Sequence, residues 1–319
     1  MDPRLIPLNG TLALLARAPG AAWPRNLAEQ GFRLHLLEGG VQSDPQSIRA
    51  DLIAFRTNPD VVLLFECKSG RNIGASQARG YVNAVPDGLR RRGTMPSALS
   101  DSGEVAVQAV FVGRSEHAEA LTESLSREQI SCPLLTVGAN GALLSGSETA
   151  GLEDFDALDR RWGRPPALLI VDHDSPVGEI EELLAQEILV AAAHRTSVLE
   201  LAQVAARIHP YWSQVSRVAQ GEFIERLKRA AQSLAQGALR DDVRYESTDA
   251  VSARLVLSSS PAAADPRGAP QAWQRLRRRF EEALGRTQQR QPEEQMSLSF
   301  EDLAADAPSD EAGEDRLDG

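Results

Sequence analysis

Residues 50–68 read Ala50-Asp51-Leu52-Ile53-Ala54-Phe55-Arg56-Thr57-Asn58-Pro59-Asp60-Val61-Val62-Leu63-Leu64-Phe65-Glu66-Cys67-Lys68. Two apolar runs flank the tetrad Thr57-Asn58-Pro59-Asp60, which has turn chemistry, so the stretch reads as a β-hairpin. The second arm is uninterruptedly apolar from Val61 to Phe65, as a strand buried on both faces is, and becomes charged only at its far end. Strand side chains alternate, so Glu66 and Lys68 share one face and Cys67 points to the opposite, buried side. With Asp51 of the first arm across from them, two carboxylates and an ammonium converge at the strand ends.

The flanks supply a sheet and helices around this hairpin. Leu5 through Ala18 has a helical pattern broken by Pro19-Gly20, a short helix near Arg25 to Gln30 stops at Gly31, and Phe32-Arg33-Leu34-His35-Leu36 alternates as a strand that Gly39-Gly40 ends. Downstream, Gly74 to Val85 reads as a helix, Val105 to Val112 as a strand, Ser115 as the cap of a helix to about Arg127, and Pro133 to Val137 as another strand. Residues 1–175 are therefore expected to form an α/β domain, a mixed sheet flanked by helices. Residues 176–260 change character: helices over Val177 to Ala193, Val198 to Ile208 behind a cap at Ser197, and Glu222 to Ala235 precede strands at Val243-Arg244-Tyr245 and Ser252 to Leu257. Three helices followed by a two-stranded ribbon is the winged-helix order. Residues 261–270 are a linker and 271–288 an amphipathic basic helix, with Trp273, Leu276, Phe280 and Leu284 on one face. Residues 289–319 are expected to be a disordered acidic tail.

The chain has 319 residues, 42% hydrophobic and 25% charged, the composition of an ordinary globular protein of about two domains. No apolar run is long enough for a membrane helix, and Met-Asp-Pro-Arg is not followed by a signal-peptide pattern, so the expectation is a cytoplasmic protein without a membrane partner. Two cysteines, Cys67 and Cys132, cannot build a disulfide framework or a four-thiolate zinc site. Five scattered histidines have no metal-ligand spacing to one another or to cysteine; His35 and His209 read as structural. The formal charge is −11, yet residues 291–319 carry ten acids against one arginine, which leaves the first 290 residues at only −2. Overall acidity is thus no argument against a nucleic-acid substrate. Of the 34 basic residues 32 are arginine, the exceptions being Lys68 and Lys228. A chain this poor in lysine places one at the end of the charged strand, where a compact point charge differs from a permanently ionised planar fork.

Phosphodiester cleavage has a use for that set. It needs a nucleophilic water and relief of the charge that builds on phosphorus. Two carboxylates, Asp51 and Glu66, and a main-chain carbonyl, that of Cys67, can hold Mg²⁺ with positions left for water and phosphate, Mn²⁺ being able to substitute. Lys68 would orient the water and neutralise the phosphate. The bland alternative for Glu66 and Lys68 is a surface salt bridge, which contributes little.

The arrangement Asp51, fourteen residues, Glu66-Cys67-Lys68 resembles the PD-(D/E)XK, or restriction-endonuclease-like, nuclease superfamily. Gln77-Ala78-Arg79-Gly80-Tyr81 places Gln77 and Tyr81 at i and i+4 on the following helix and resembles the Gln-x-x-x-Tyr motif of RecB-type nucleases. In that branch a glycine shortly precedes the aspartate; here the run is Ile48-Arg49-Ala50-Asp51. The resemblance covers about residues 20 to 137. It implies a restriction-endonuclease-like mixed sheet, metal-dependent deoxyribonuclease activity, and Gln77 and Tyr81 supporting the lysine and the substrate. Many families of this fold add an acid from the first core helix; Glu29 is the candidate, with Glu38 second.

Arg71, Arg79 and Arg90-Arg91-Arg92 offer DNA phosphates a basic path, although arginines at helix ends also complement the helix dipole. The winged-helix-like module suits duplex DNA or a protein partner equally. Gln295-Met296-Ser297-Leu298-Ser299-Phe300 resembles the bacterial sliding-clamp-binding peptide, with Gln295, Leu298 and Phe300 as the inserting residues. The expectation is a Mg²⁺-dependent nuclease acting on DNA in defence against foreign DNA or in repair. The competing class is a non-catalytic DNA-binding regulator.

Overall fold

The computed structural model describes residues 4–16, 27–43, 46–99, 103–138, 141–146, 155–156, 167–194, 196–237, 239–247, 252–257 and Arg278. The core is a mixed sheet of six strands with a two-residue seventh at its edge. Strands β1 (Arg33–Ser43), β2 (Gln46–Arg56) and β3 (Val61–Lys68) pair antiparallel in succession, with the turn at residues 57–60 closing the β2–β3 hairpin. Helix α1 (Leu5–Leu15) precedes them. Helices α2 (Ala75–Val82) and α3 (Pro86–Arg92) lead to β4 (Ala106–Arg114), parallel to β3. Helix α4 (Ala118–Arg127) leads to β5 (Leu134–Gly138), parallel to β4. Strands β6 (Gly141–Ser145) and β7 (Phe155–Asp156) add antiparallel, so the sheet runs β1-β2-β3-β4-β5-β6-β7. Parallel neighbours need a crossover, and the helices between β3, β4 and β5 supply it.

Apolarity on both faces makes β3 the middle of this sandwich. Val61, Leu63 and Phe65 turn into the layer that holds α1, whereas Val62 and Leu64 turn into the layer of α2, α3 and α4. Cys67 packs with the α1 layer, on the side its place in the alternation dictates. On β2 the alternation breaks: Ile48, Ala50 and Ile53 lie in the α2–α4 layer, Leu52 and Ala54 in the α1 layer. The break falls at Asp51. Opposite it, between the pairs Leu37↔Leu52 and Gly39↔Ala50, Glu38 of β1 has φ 57°. A side chain in this left-handed region stores strain of roughly 1 kcal/mol or more, which the surrounding pairing must hold.

Several local readings differ from the sequence expectation. Gly39 and Gly40 do not end β1; they pair with Ala50 and Arg49, and a Cβ on Gly39 would lie 2.4 Å from Ile53 Cδ1, so Gly39 serves close approach. Of the short helix near residues 25–30, the described part, Leu27–Gly31, is a turn: the Phe32 amide donates to the Leu27 carbonyl and Gly31 takes φ 90°. The helix expected over 74–85 ends at Val82, because Pro86 forces Val85 into the extended region and restarts the chain as α3.

Further along, α5 (Val177–Ala193) is followed by a short strand, β8 (Val198–Glu200), where helix was expected to begin; α6 (Leu201–Ile208) starts after it. Pairing decides this, since β8 joins β10 (Ala253–Leu257) in a three-stranded sheet of order β8-β10-β9, with β9 being Val243–Ser247. Between α6 and β9 runs α7 (Arg217–Gln236), a turn and more longer than read from sequence. The chain divides into two compact units: Met1–Leu184 with Glu200–Ala230 and Ser247–Ala253, and Ala185–Leu199 with Ala231–Glu246 and Arg254–Gly319. The first holds the large sheet. Among the described residues no helix is long and apolar enough to cross a membrane. The linker, the helix of residues 271–288 apart from Arg278, and the acidic tail with Gln295, Leu298 and Phe300 lie outside the described residues.

Two glycines test the packing of α3 and the opening turn of α5. A Cβ on Gly88 would lie 1.9 Å from the Gln42 carbonyl of β1, whereas one on Gly178 meets nothing within 4 Å. Gly88→Ala is expected to destabilise by about 1–3 kcal/mol through overpacking, and Gly178→Ala to stabilise by about 0.5 kcal/mol through helix propensity. Thermal denaturation of the two variants checks both signs.

Candidate active site

The β2–β3 ladder ends at Leu52↔Phe65, and one step further the Asp51 carboxylate replaces the main chain as acceptor. Its Oδ2 accepts the Cys67 amide at 2.5 Å. On the last turn of β3, Lys68 Nζ donates to Glu66 Oε1 at 2.5 Å and to Gln77 Oε1 at 2.7 Å. Gln77 closes the triangle by donating from Nε2 to Glu66 Oε1 at 2.7 Å. Tyr81, one helical turn along α2, sets its hydroxyl against Glu66 Oε2 and against the Arg49 main-chain carbonyl; its single proton serves one acceptor at a time. The structure thus joins Asp51, Glu66, Lys68, Gln77 and Tyr81 in one network around the end of β3. Glu66 is 5% exposed and the Lys68 side chain 18%, so this is no solvated surface pair.

Electrostatics at the site are those of crowded carboxylates. Burial pushes Asp51 above the usual carboxylate range, and the Glu66 charge adds to it, while the Cys67 amide and Lys68 pull it down. Burial together with the Asp51 and Asp172 charges pushes Glu38 up to about 9. Burial and the facing Glu66 and Asp51 hold the Tyr81 phenol far above its ordinary value, so it acts as a hydrogen-bond donor and not as a phenolate. The Cys67 thiol is likewise pushed up by burial and by Asp51, and is inert.

Residues without a motif complete the surroundings. Asp172 and His173 arrive on the segment after Ala167, which is anchored to α1 by two hydrogen bonds of 2.8 Å between the Asn9 side chain and the Leu169 main chain. Arg4 donates to Asp172 at 2.6 Å. Arg49 of β2 forks onto Glu222 of α7, Nη1 to Oε2 at 2.7 Å and Nη2 to Oε1 at 2.9 Å, and lies 3.1 Å from His173 Nε2. That pair holds Glu222 below the usual carboxylate range. His209, 4% exposed, has a buried Nδ1 without a hydrogen-bond partner and is pushed down to about 4 by burial. It lines a small cavity with Glu38, Asp172, His173 and Trp212.

The acid that stands beside Asp51 is Glu38, on strand β1. Glu29 lies exposed in the turn of residues 27–31. Of the arginines proposed to meet phosphate, Arg71 is exposed at the end of β3, and Arg79 sits 3.6 Å from Glu128. Arg90 pairs with Asp87, Arg91 is exposed, and Arg92 is tied to Gln42 and Ser47 of the β1–β2 hairpin. Lys228 is a nearly buried residue of α7 bonded to Glu225 at 2.7 Å. Sequence reasoning placed Glu38 second to Glu29, on position alone. It had no signal for Arg49, His173 and Glu222, which stand 124 and 173 residues apart in the bonded pairs.

Asp51 and Glu66 offer hard oxygen donors of like charge, close enough for the Glu66 charge to raise the proton affinity of Asp51, the donor chemistry of a Mg²⁺ site. Among the described residues no three His, Cys, Asp or Glu side chains converge as a metal cluster. An ion here would take two carboxylates and complete its shell from main-chain carbonyl and water. Comparison with protein-family models, curated proteins and solved structures finds no match to this chain.

Two predictions follow from the crowding. Folded Glu38 keeps its proton up to about pH 9 while the unfolded chain releases it near 4.5; the folded state therefore binds the extra proton between these values, and stability falls as pH rises through them. The melting temperature is expected to drop by roughly 5 °C or more across this window, and Glu38→Gln to flatten the slope in the same melts. Tyr81→Phe keeps the ring in place but strips Glu66 of a buried donor, which should cost about 1–3 kcal/mol in urea unfolding.

Proposed function

We propose that the protein is a Mg²⁺-dependent nuclease of PD-(D/E)XK type that hydrolyses DNA phosphodiester bonds, in defence against foreign DNA or in DNA repair. The observation that carries the reading is the hydrogen-bonded convergence of Asp51, Glu66, Lys68, Gln77 and Tyr81 at the end of one buried strand. Asp51, Glu66 and the Cys67 carbonyl would hold the ion, with Glu38 in support. When bound, the ion supplies Lewis-acid stabilisation of phosphorane charge and a more acidic water. The chain's own residues do the rest. Lys68 spends two of its three N–H groups on Glu66 and Gln77 and keeps one for a water or a phosphate oxygen. Gln77 and Tyr81 grip the two oxygens of Glu66 and so fix the direction in which its lone pairs face. An arginine fork could not fill the Lys68 position between two acceptors without displacing them.

Arg71, Arg79, Arg90, Arg91 and Arg92 lie on the elements that follow β3 and are proposed to carry the phosphate backbone. The order α5, β8, α6, α7, β9, β10, with a sheet of order β8-β10-β9, supports a winged-helix-like module for residues 176–260, contacting DNA or a protein. The segment with Gln295, Leu298 and Phe300 is proposed to dock on a sliding clamp.

The test is hydrolysis of labelled single-stranded, duplex and branched DNA, and of RNA, with Mg²⁺ or Mn²⁺. Asp51→Asn, Glu66→Gln and Lys68→Ala are each expected to lower the rate by about 100-fold or more while the fold persists. A wild-type protein inert on every form, yet retaining DNA, would make the chain a non-catalytic DNA-binding regulator.

A further inference from the structure

We propose that Arg49 is a phosphate-binding residue of this site and that the Glu222 carboxylate competes with the substrate for it; the inference rests on reading the site as one that acts on nucleic acid. Arg49 stands two residues before Asp51 on β2, next to the break in that strand's alternation. Its main-chain carbonyl already belongs to the network, as a partner of the Tyr81 hydroxyl. Its guanidinium lies 3.1 Å from His173 Nε2, and that nitrogen lies 3.8 Å from Glu38, so the cation shares the neighbourhood of the carboxylates proposed to hold metal, where the phosphate flanking a scissile bond would lie.

What the guanidinium grips there is informative. Both terminal nitrogens bond one carboxylate in the parallel fork that a phosphate also accepts. Arg49 and Glu222 keep 37% and 41% of their side-chain surface, so the pair is open to solvent and is weak enough for a polyanion to displace. Beyond Glu222, the carboxylates whose charge reaches Arg49 are Glu38 and Asp174, and Asp174 is shared with Arg4 and Arg226. Arg49 Nη1 lies 3.1 Å from His173 Nε2 and, having no acceptor of its own, can only donate there. Arg226 reaches toward Asp174 and donates to the Ser175 carbonyl, leaving Arg49 as the guanidinium that Glu222 bonds in these contacts. The carboxylate thus works as a resident mimic of phosphate: it shields the arginine from stray anions and yields to a ligand that engages several cations at once.

The test measures binding apart from catalysis. Labelled single-stranded and duplex oligonucleotides are titrated with the full chain in EDTA and followed by fluorescence anisotropy at several salt concentrations. Arg49→Met should weaken binding about tenfold and reduce the slope of log affinity against log salt by about one phosphate, 0.7 to 0.9. Glu222→Gln, nearly isosteric, should tighten binding about fivefold. In an Arg49→Met background Glu222→Gln should have no effect, and Glu225→Gln on the same helix should change nothing in either. Melting curves and Glu222→Ala exclude a folding origin. Equal affinity of Glu222→Gln and wild type, a gain that survives Arg49→Met, or no retention of any oligonucleotide overturns the proposal. Expected binding shifts without hydrolysis in Mg²⁺ count against the nuclease reading alone; hydrolysis with flat binding responses counts against Arg49 alone.

Discussion

The rest of the structure hangs on one strand being buried from both sides. From Val62 to Phe65 the chain of β3 has no measurable contact with solvent, so its main chain must be paired on both edges and its side chains packed in two layers. That demand explains the neighbours: an antiparallel partner one turn away in sequence, a parallel partner reached by helices, α1 on one face and α2 to α4 on the other. Burial also sets what the first charge requires. Glu66 follows Phe65 while still buried, so its carboxylate needs partners, and α2 meets it and the half-buried Lys68 with Gln77 and Tyr81.

Carboxylates are costly to crowd away from water, and here Glu38, Asp51, Glu66 and Asp172 share one neighbourhood. The fold contains the repulsion in three ways. Directed donors meet the carboxylate oxygens: the Cys67 amide for Asp51, and Lys68, Gln77 and Tyr81 for Glu66. Raised proton affinity keeps Glu38 uncharged over most of the physiological range. The strained φ of Glu38 persists because the β1–β2 pairs on either side of it leave the chain no alternative. Local strain and concentrated charge thus fall in one place, each held by its surroundings.

Much of this was legible in residue order. The hairpin, the charged end of β3, the inward Cys67 and the helical spacing of Gln77 and Tyr81 follow from period and alternation, which depend on neighbours within a few residues. The misreadings share a cause. Gly39-Gly40 looks like a stop until β2 is known to need the space of the missing Gly39 side chain. Val198 to Glu200 has helical company in sequence and becomes strand because β10 offers an edge. Glu29 was favoured over Glu38 because a helix was expected to present it, and residues 27–31 form a turn instead.

By itself the sequence determined that a doubly buried strand would end in Glu66-Cys67-Lys68 opposite Asp51, since apolar period and turn chemistry act among residues close together in the chain. Only the tertiary structure decided which acid would stand beside Asp51 and which groups would surround Arg49. The Arg49 contacts join segments more than a hundred residues apart, brought in by α7 and by the segment that Asn9 pins to α1, and Glu38 meets Asp51 across β1 and β2 at the break in the β2 alternation. Side-chain spacing along a chain carries no information about distances set by how layers pack.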